Sequence, residues 1–180
     1  MATLLYLISP KGFQDVEYED SKEVVLNADH MVLVAAPSSP CIGKYGKTVT
    51  PDLLTKDITS LDFYDGIVAI GGPGTPLLAD DPHAVRIVRE AYNRGKLVSA
   101  ICMAPALLLT KAGIMKAKQA TCFQTPDGSS KQMLVDAGAS FVENDVVIDG
   151  NVITANGPDA AKKFGEAIIT YLAEHKKKVV

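Results

Sequence analysis

A chain of 180 residues, 47% hydrophobic and 22% charged, has the composition of a soluble globular domain and length enough for a core without staples. Its net charge of −3 and scattered basic residues leave no basic face for nucleic acid, and the Lys176, Lys177 and Lys178 run reads as a solvated tail. No apolar run approaches the roughly 18 residues that span a bilayer, and Cys41, Cys102 and Cys122, lacking CxxC spacing, argue against a disulfide framework or a zinc site.

One domain, residues 1–180, is predicted, with no linker, repeat or low-complexity tract. The first apolar run, "TLLYLIS" (3–9), is too short for a signal-peptide core and lacks a preceding basic residue. Free thiols then predict a cytoplasmic protein. "GFQDVEYED" (12–20) opens a helix with several acids, a favourable placement at a helix N-terminus. Further apolar runs follow at 31–36, 66–72 and 97–102. None alternates with polar residues, so each reads as a parallel strand buried on both faces.

Asp81-Pro82 caps a helix that stops at Gly95, with Val85, Val88 and Tyr92 on its inner stripe. Another helix opens at Ala104-Pro105 and ends near Gly113, apolar nearly all round. "VVIDGNVITA" reads as a hairpin turning at Asp149-Gly150, and a last helix runs from Pro158 to about His175. Phe164, Ile168 and Leu172 form the inner face of that helix. Strands alternating with helices predict an α/β fold: a doubly wound, mostly parallel sheet sandwiched by helices, with a C-terminal hairpin.

In such folds ligands gather beyond the carboxyl ends of the strands. That rule selects residues 10–17, 37–41, 71–75 and 102–105. Cys102 ends its strand with a helix starting two or three residues later, a turn resembling a nucleophile elbow with Ala100 and Ala104 as small flanks. The helix N-terminus there is expected to favour the thiolate. In "IGGPG" (70–74), the Gly72 N–H together with the Met103 N–H is placed to hold an oxyanion. One acid of the 12–20 stretch, kept protonated, would complete such a site by hydrogen-bonding the sulfur. His30, His83 and His175 read as surface residues away from the rim, so a Cys-His-acid triad has little support. Cys41 reads as loop packing and Cys122 as core packing; Asn156-Gly157 receives no role.

"GFQDVE", "YDGIVAIGGPG", "NRGKLVSAICMAPALLLTKAGIMKAKQAT" and "GASFVENDVVIDGNVIT" together resemble the ThiJ/PfpI superfamily (DJ-one/PfpI family) over nearly the whole chain. That likeness implies a flavodoxin-like, glutamine amidotransferase-like fold. It implies Cys102 as the reactive thiol, Glu17 as the protonated acid beside it, and Gly72 and Met103 as the oxyanion-hole backbone, with Gly71 and Phe123 lining the site. Asp15 and Glu19 become helix-surface acids. Met103 stands where peptidase-like members carry histidine, and Phe123, beside Gln124, is nearest to the histidine of deglycase-like members. A glutamate at the acid position argues against isocyanide hydration.

The resemblance implies a small-molecule cysteine enzyme without cofactor or metal, acting on reactive carbonyls in the manner of a glutathione-independent glyoxalase or deglycase. A redox-sensing or stress-protective protein that uses oxidation of Cys102 is the alternative. A PfpI-like peptidase ranks last because of Met103. A homodimer or higher homo-oligomer is implied, with no nucleic-acid or membrane partner, and a neighbouring subunit is one source of a missing histidine.

Overall fold

The computed structural model describes residues 1–175, so the Lys176–Lys178 run lies outside the described residues. In chain order the strands are β1 (Thr3–Leu7), β2 (Lys11–Phe13), β3 (Met31–Ala36), β4 (Cys41–Gly43), β5 (Thr48–Val49), β6 (Leu53–Leu54), β7 (Gly66–Ala69), β8 (Leu97–Ile101), β9 (Gln119–Ala120), β10 (Ser140–Phe141), β11 (Val146–Asp149) and β12 (Val152–Ala155). The α-helices are α1 (Asp15–Asn27), α2 (Thr75–Ala79), α3 (Pro82–Asn93), α4 (Thr110–Ala112), α5 (Ser129–Asp136) and α6 (Ala161–Glu174). Seven strands form the main sheet in the order β11-β12-β8-β7-β1-β3-β6. Every pairing in it is parallel except β11 with β12, the expected hairpin, in which Asp149 lies opposite Val152.

The lack of alternation in the strands has a direct physical reason: successive residues feed two separate cores. Leu5, Leu7, Ile67, Ala69, Val98 and Ala100 pack on one face with Leu78, Val85, Val88, Leu108 and Leu134. Leu4, Tyr6, Ile8, Val68, Ile70 and Ile101 pack on the other with Tyr18, Val25, Phe164, Ile168 and Leu172. The first core lies under α2 to α5 and the second under α1 and α6. Burial of both faces removes any call for polar residues within the strands.

Helix α3 begins as its sequence suggests. The Asp81 carboxylate accepts from the His83 and Ala84 N–H groups at 3.1 and 3.2 Å, and Pro82 occupies the first turn, where no N–H is needed. The helix expected from Ala104 to Gly113 differs in form. It starts as a wide π-type turn over Pro105–Leu109, tightens into α4 and ends at Gly113 in the left-handed conformation. The last helix likewise begins as a 3₁₀ turn, Pro158–Ala160, before α6.

Several short elements carry too few residues for a periodic signal. They are the small β2-β4-β5 sheet, the β9-β10 pair, the edge strand β6 and helices α2 and α5. Cys41, expected in a loop, sits fully buried in β4, where burial pushes its thiol up to about 11. Cys122 is buried in the core, as expected. Among the described residues, no helix is long and apolar enough to cross a membrane, and no group of three or more His, Cys, Asp or Glu is placed to hold a metal ion.

Candidate active site

The apolar strands end before the rim residues, which frees those residues to turn. β7 stops at Ala69, so Gly71 and Gly72 lie beyond it, and β8 stops at Ile101, one residue before Cys102. The Cys102 N–H donates to the Ala155 carbonyl at 2.9 Å, which holds the elbow to β12. There Cys102 takes a φ of 64°, a left-handed conformation that non-glycine residues rarely adopt. The elbow is therefore strained as well as sharp. The side chain is only 6% exposed.

Gly71 makes room for the elbow. A β-carbon there would lie 2.6 Å from the Cys102 Cβ and 2.6 Å from the Ile101 carbonyl oxygen. Gly72 has a φ of 109°, and a β-carbon on it would meet the Gln14 nitrogen at 2.6 Å. These glycines bring three chain segments into contact: the β7 end, the β8 elbow and the start of α1. The Gln14 N–H donates to the Gly71 carbonyl at 2.9 Å, closing the arrangement.

Glu17, in the first turn of α1, is fully buried. Its Oε2 accepts the Gly71 N–H at 3.0 Å. Its Oε1 has no partner of full hydrogen-bond geometry, while the carboxyl as a whole lies within interaction range of the Cys102 thiol. Burial drives the Glu17 pKa up to about 7, against downward pulls from Cys102, the Gly71 N–H and the charge of Lys44. Burial also pushes the Cys102 thiol up, and ionised Glu17 pushes it further. The Gly72 and Met103 N–H groups face the sulfur and pull the other way. The net direction is opposite to that expected from a helix N-terminus alone, because desolvation of the thiolate outweighs two N–H dipoles.

The structure brings Glu17, Gly71, Gly72, Cys102 and Met103 together. Phe123 borders the same turn: its N–H donates to the Cys102 carbonyl at 2.9 Å, and its ring, 41% exposed, lies against Gly157. No histidine joins them among the described residues. His83 is exposed in the first turn of α3, and His175 stacks on Tyr171 at 3.9 Å. His30, expected at the surface, is half-buried and accepts the Ala2 N–H at 3.1 Å. His30 and His175 line a cavity of about 550 Å³ with Ala2, Asp65 and Leu97. That cavity lies at the amino ends of the strands, at the opposite end of the sheet from Cys102.

Asp15 corrects a second expectation. It is buried, and its carboxylate accepts from the Tyr45 and Lys47 N–H groups at 2.9 and 3.0 Å. Two backbone donors in a tight turn compensate its burial. Glu19 is exposed, as expected, and pairs with Lys47. Gln14, which sequence reasoning passed over, is buried with an unpartnered side-chain oxygen, Oε1.

Residues 3–171 match the description of the DJ-1/PfpI family. The chain belongs to the DJ-1/PfpI family. It is 31% identical over 169 residues to the glutathione-independent glyoxalase DJR-1.2 of Caenorhabditis elegans, covering 93% of this chain and 87% of that protein. It is 30% identical over 153 residues to a deglycase of Pyrococcus abyssi, covering 84% and 89%. The crystal structure of a ThiJ/PfpI domain protein from Brachyspira murdochii superposes with a TM-score of 0.88 at 27% identity, covering 96% of each chain. The α/β fold of this family member is therefore that of its solved relatives.

Proposed function

We propose that this DJ-1/PfpI family member is a cysteine enzyme that converts small reactive dicarbonyls, such as methylglyoxal, into hydroxy acids without a cofactor. The observation that carries the reading is the buried Glu17–Cys102 pair, flanked by two N–H groups that face the sulfur. With the Glu17 pKa near 7 and the thiol raised, the pair holds one proton between its members over a wide pH range.

Sulfur adds to the aldehyde carbon as the thiol proton passes to the Glu17 carboxylate. The developing oxyanion is held by the Gly72 and Met103 N–H groups and then takes that proton, giving a hemithioacetal. Glu17 next moves a proton from the former aldehyde carbon to the neighbouring ketone carbon, while the hemithioacetal hydroxyl proton passes to the former ketone oxygen, producing a 2-hydroxy thioester. Water cleaves the thioester, releasing the hydroxy acid and restoring the thiol. One carbon is oxidised and its neighbour reduced, so only water is consumed.

Relatives named for glyoxalase and deglycase activity support the same reading. A redox-sensing role calls for an accessible thiolate, whereas burial and the charge of Glu17 both favour the thiol. Lactate formation from methylglyoxal tests the proposal. Wild-type turnover should exceed that of Cys102→Ala by orders of magnitude; equal rates would refute it.

A further inference from the structure

Three buried side-chain polar atoms among the described residues lack a hydrogen-bond partner: the Tyr6 hydroxyl, Gln14 Oε1 and Glu17 Oε1. Two of them stand at the start of α1, where Gln14 is the N-cap and Glu17 follows three residues later. Side chains at those two positions commonly satisfy the helix end together. The cap side chain takes the N–H of the third helical residue, and that residue's carboxylate reaches back to the cap N–H. Here neither half of the exchange forms. The Gln14 side chain makes no cap hydrogen bond, and the Gln14 N–H donates instead to the Gly71 carbonyl at 2.9 Å. Glu17 Oε2 takes the Gly71 N–H at 3.0 Å. Both residues are thereby released from capping and bracket Gly71, the glycine against which the Cys102 elbow packs.

Backbone contacts fix the place of Gln14 beside the reacting groups. A β-carbon on Gly72 would lie 2.6 Å from the Gln14 nitrogen, and one on Gly71 would lie 2.6 Å from the Cys102 Cβ. Gln14 thus borders the glycine whose N–H faces the sulfur, and it is only 5% exposed. Burying an amide oxygen without a donor is costly, and an apolar side chain of similar shape would avoid that cost. The free oxygen of Glu17 is accounted for as the base. Gln14 Oε1 is an acceptor without a donor, and the proposed reaction makes one. The proton that reaches the former ketone oxygen turns it into a hydroxyl.

We propose that Gln14 Oε1 accepts a hydrogen bond from that hydroxyl, so that the site is built for aldehydes carrying an oxygen function on the adjacent carbon. The proposal rests on the reading of Cys102 as the attacking thiol. Because the hydroxyl exists only after sulfur has added, the bond strengthens along the reaction rather than on binding.

Lactaldehyde and propanal test this without turnover. The Cys102 sulfur adds reversibly to either aldehyde, the thiol proton ending on the new hydroxyl, and neither has a ketone for the later steps. They differ only in the 2-hydroxyl. Each is titrated for its power to protect Cys102 from iodoacetamide. The ratio of half-protecting concentrations is then divided by that for the free thiol N-acetylcysteine, which cancels differences in aldehyde reactivity and hydration. In the wild type the normalised ratio should favour lactaldehyde about three- to tenfold, the usual worth of one neutral hydrogen bond. Gln14→Met keeps an unbranched side chain of similar size without the oxygen, and should abolish the preference. Gln14→Glu retains an acceptor at the same reach and should keep it. A wild type without the preference, or a preference that Gln14→Met leaves intact, would overturn the subsite.

Stability separates this role from a structural one. An amide that held the fold together would lower Tm when removed. Gln14→Met deletes an orphaned oxygen and should melt no lower than the wild type, while kcat for methylglyoxal falls by a similar three- to tenfold with KM little changed. A clearly lower Tm would count for a structural amide and against the subsite. If the aldehyde ratio depends on Gln14 while methylglyoxal is not turned over, the subsite stands and the proposed reaction falls.

Discussion

Glu17 lies buried against Cys102, and the charge on either residue decides how tightly the other holds its proton. The Glu17 pKa near 7 makes the carboxylate available as a base only when the pH reaches that region. Turnover of methylglyoxal should accordingly rise with pH through about 7 in the wild type. In Glu17→Gln that rise should vanish and kcat should drop about 10²- to 10⁴-fold, the usual worth of a positioned acid–base group. Iodoacetamide labelling should move the opposite way. Without the carboxylate charge, Cys102 ionises more readily and is alkylated faster at pH 8. Loss of both turnover and labelling in Glu17→Gln would contradict this division of roles.

The same burial predicts a pH dependence of stability. The folded-state pKa of Glu17, about 7, lies above that of an exposed glutamate, so the folded chain binds the extra proton between the two values. The stabilisation is complete below about pH 4.5 and is lost as the pH rises through about 7. Relative to Glu17→Gln, the wild type should lose on the order of 3 kcal/mol across that window. Denaturant titrations of both proteins at pH 4.5 and pH 8 check the sign; a wild type that gains on the mutant with rising pH would refute it.

Backbone strain at the elbow has its own signature. Glycine ordinarily costs about 1 kcal/mol relative to alanine through unfolded-chain entropy. At Cys102, where φ is 64°, glycine relieves the left-handed conformation and alanine does not. Cys102→Gly should therefore match or exceed Cys102→Ala in thermal stability, while both lack turnover.

Gly71 should tolerate no side chain. In Gly71→Ala the added methyl, 2.6 Å from both the Cys102 Cβ and the Ile101 carbonyl oxygen, would force the elbow to shift. A loss of about 1–3 kcal/mol is expected for such overpacking, with a fall in turnover. Thermal melts and methylglyoxal assays read the two effects; wild-type behaviour in both would show that the elbow has slack.

Asp15 anchors the turn that carries Lys44. Asp15→Ala leaves the Tyr45 and Lys47 N–H groups without their acceptor, for a cost of about 1–3 kcal/mol. Amide hydrogen exchange at those two positions should accelerate. Glu19→Ala, which removes only the exposed pair with Lys47, should stay within about 1 kcal/mol of the wild type.

The sequence by itself determined the architecture and singled out Cys102 as the candidate thiol. Strands apolar on both faces, Asp81-Pro82 at a helix start and Asp149-Gly150 at a turn are local signals, and each corresponds to an element of the structure. The small β2-β4-β5 sheet escaped because two or three residues hold no period. Periodicity and composition did not tell which acids are buried, since Asp15, Glu17 and Glu19 look alike along the chain; the family resemblance singled out Glu17 but put Asp15 at the surface, where it is not. Only the fold turns Glu17 toward Cys102, sets Asp15 on the 43–47 turn and leaves Glu19 at the surface. The protonation of Cys102 likewise belongs to the tertiary structure: the sequence shows a helix start that lowers a thiol pKa, but burial and a neighbouring carboxylate, which raise it, exist only once distant segments meet.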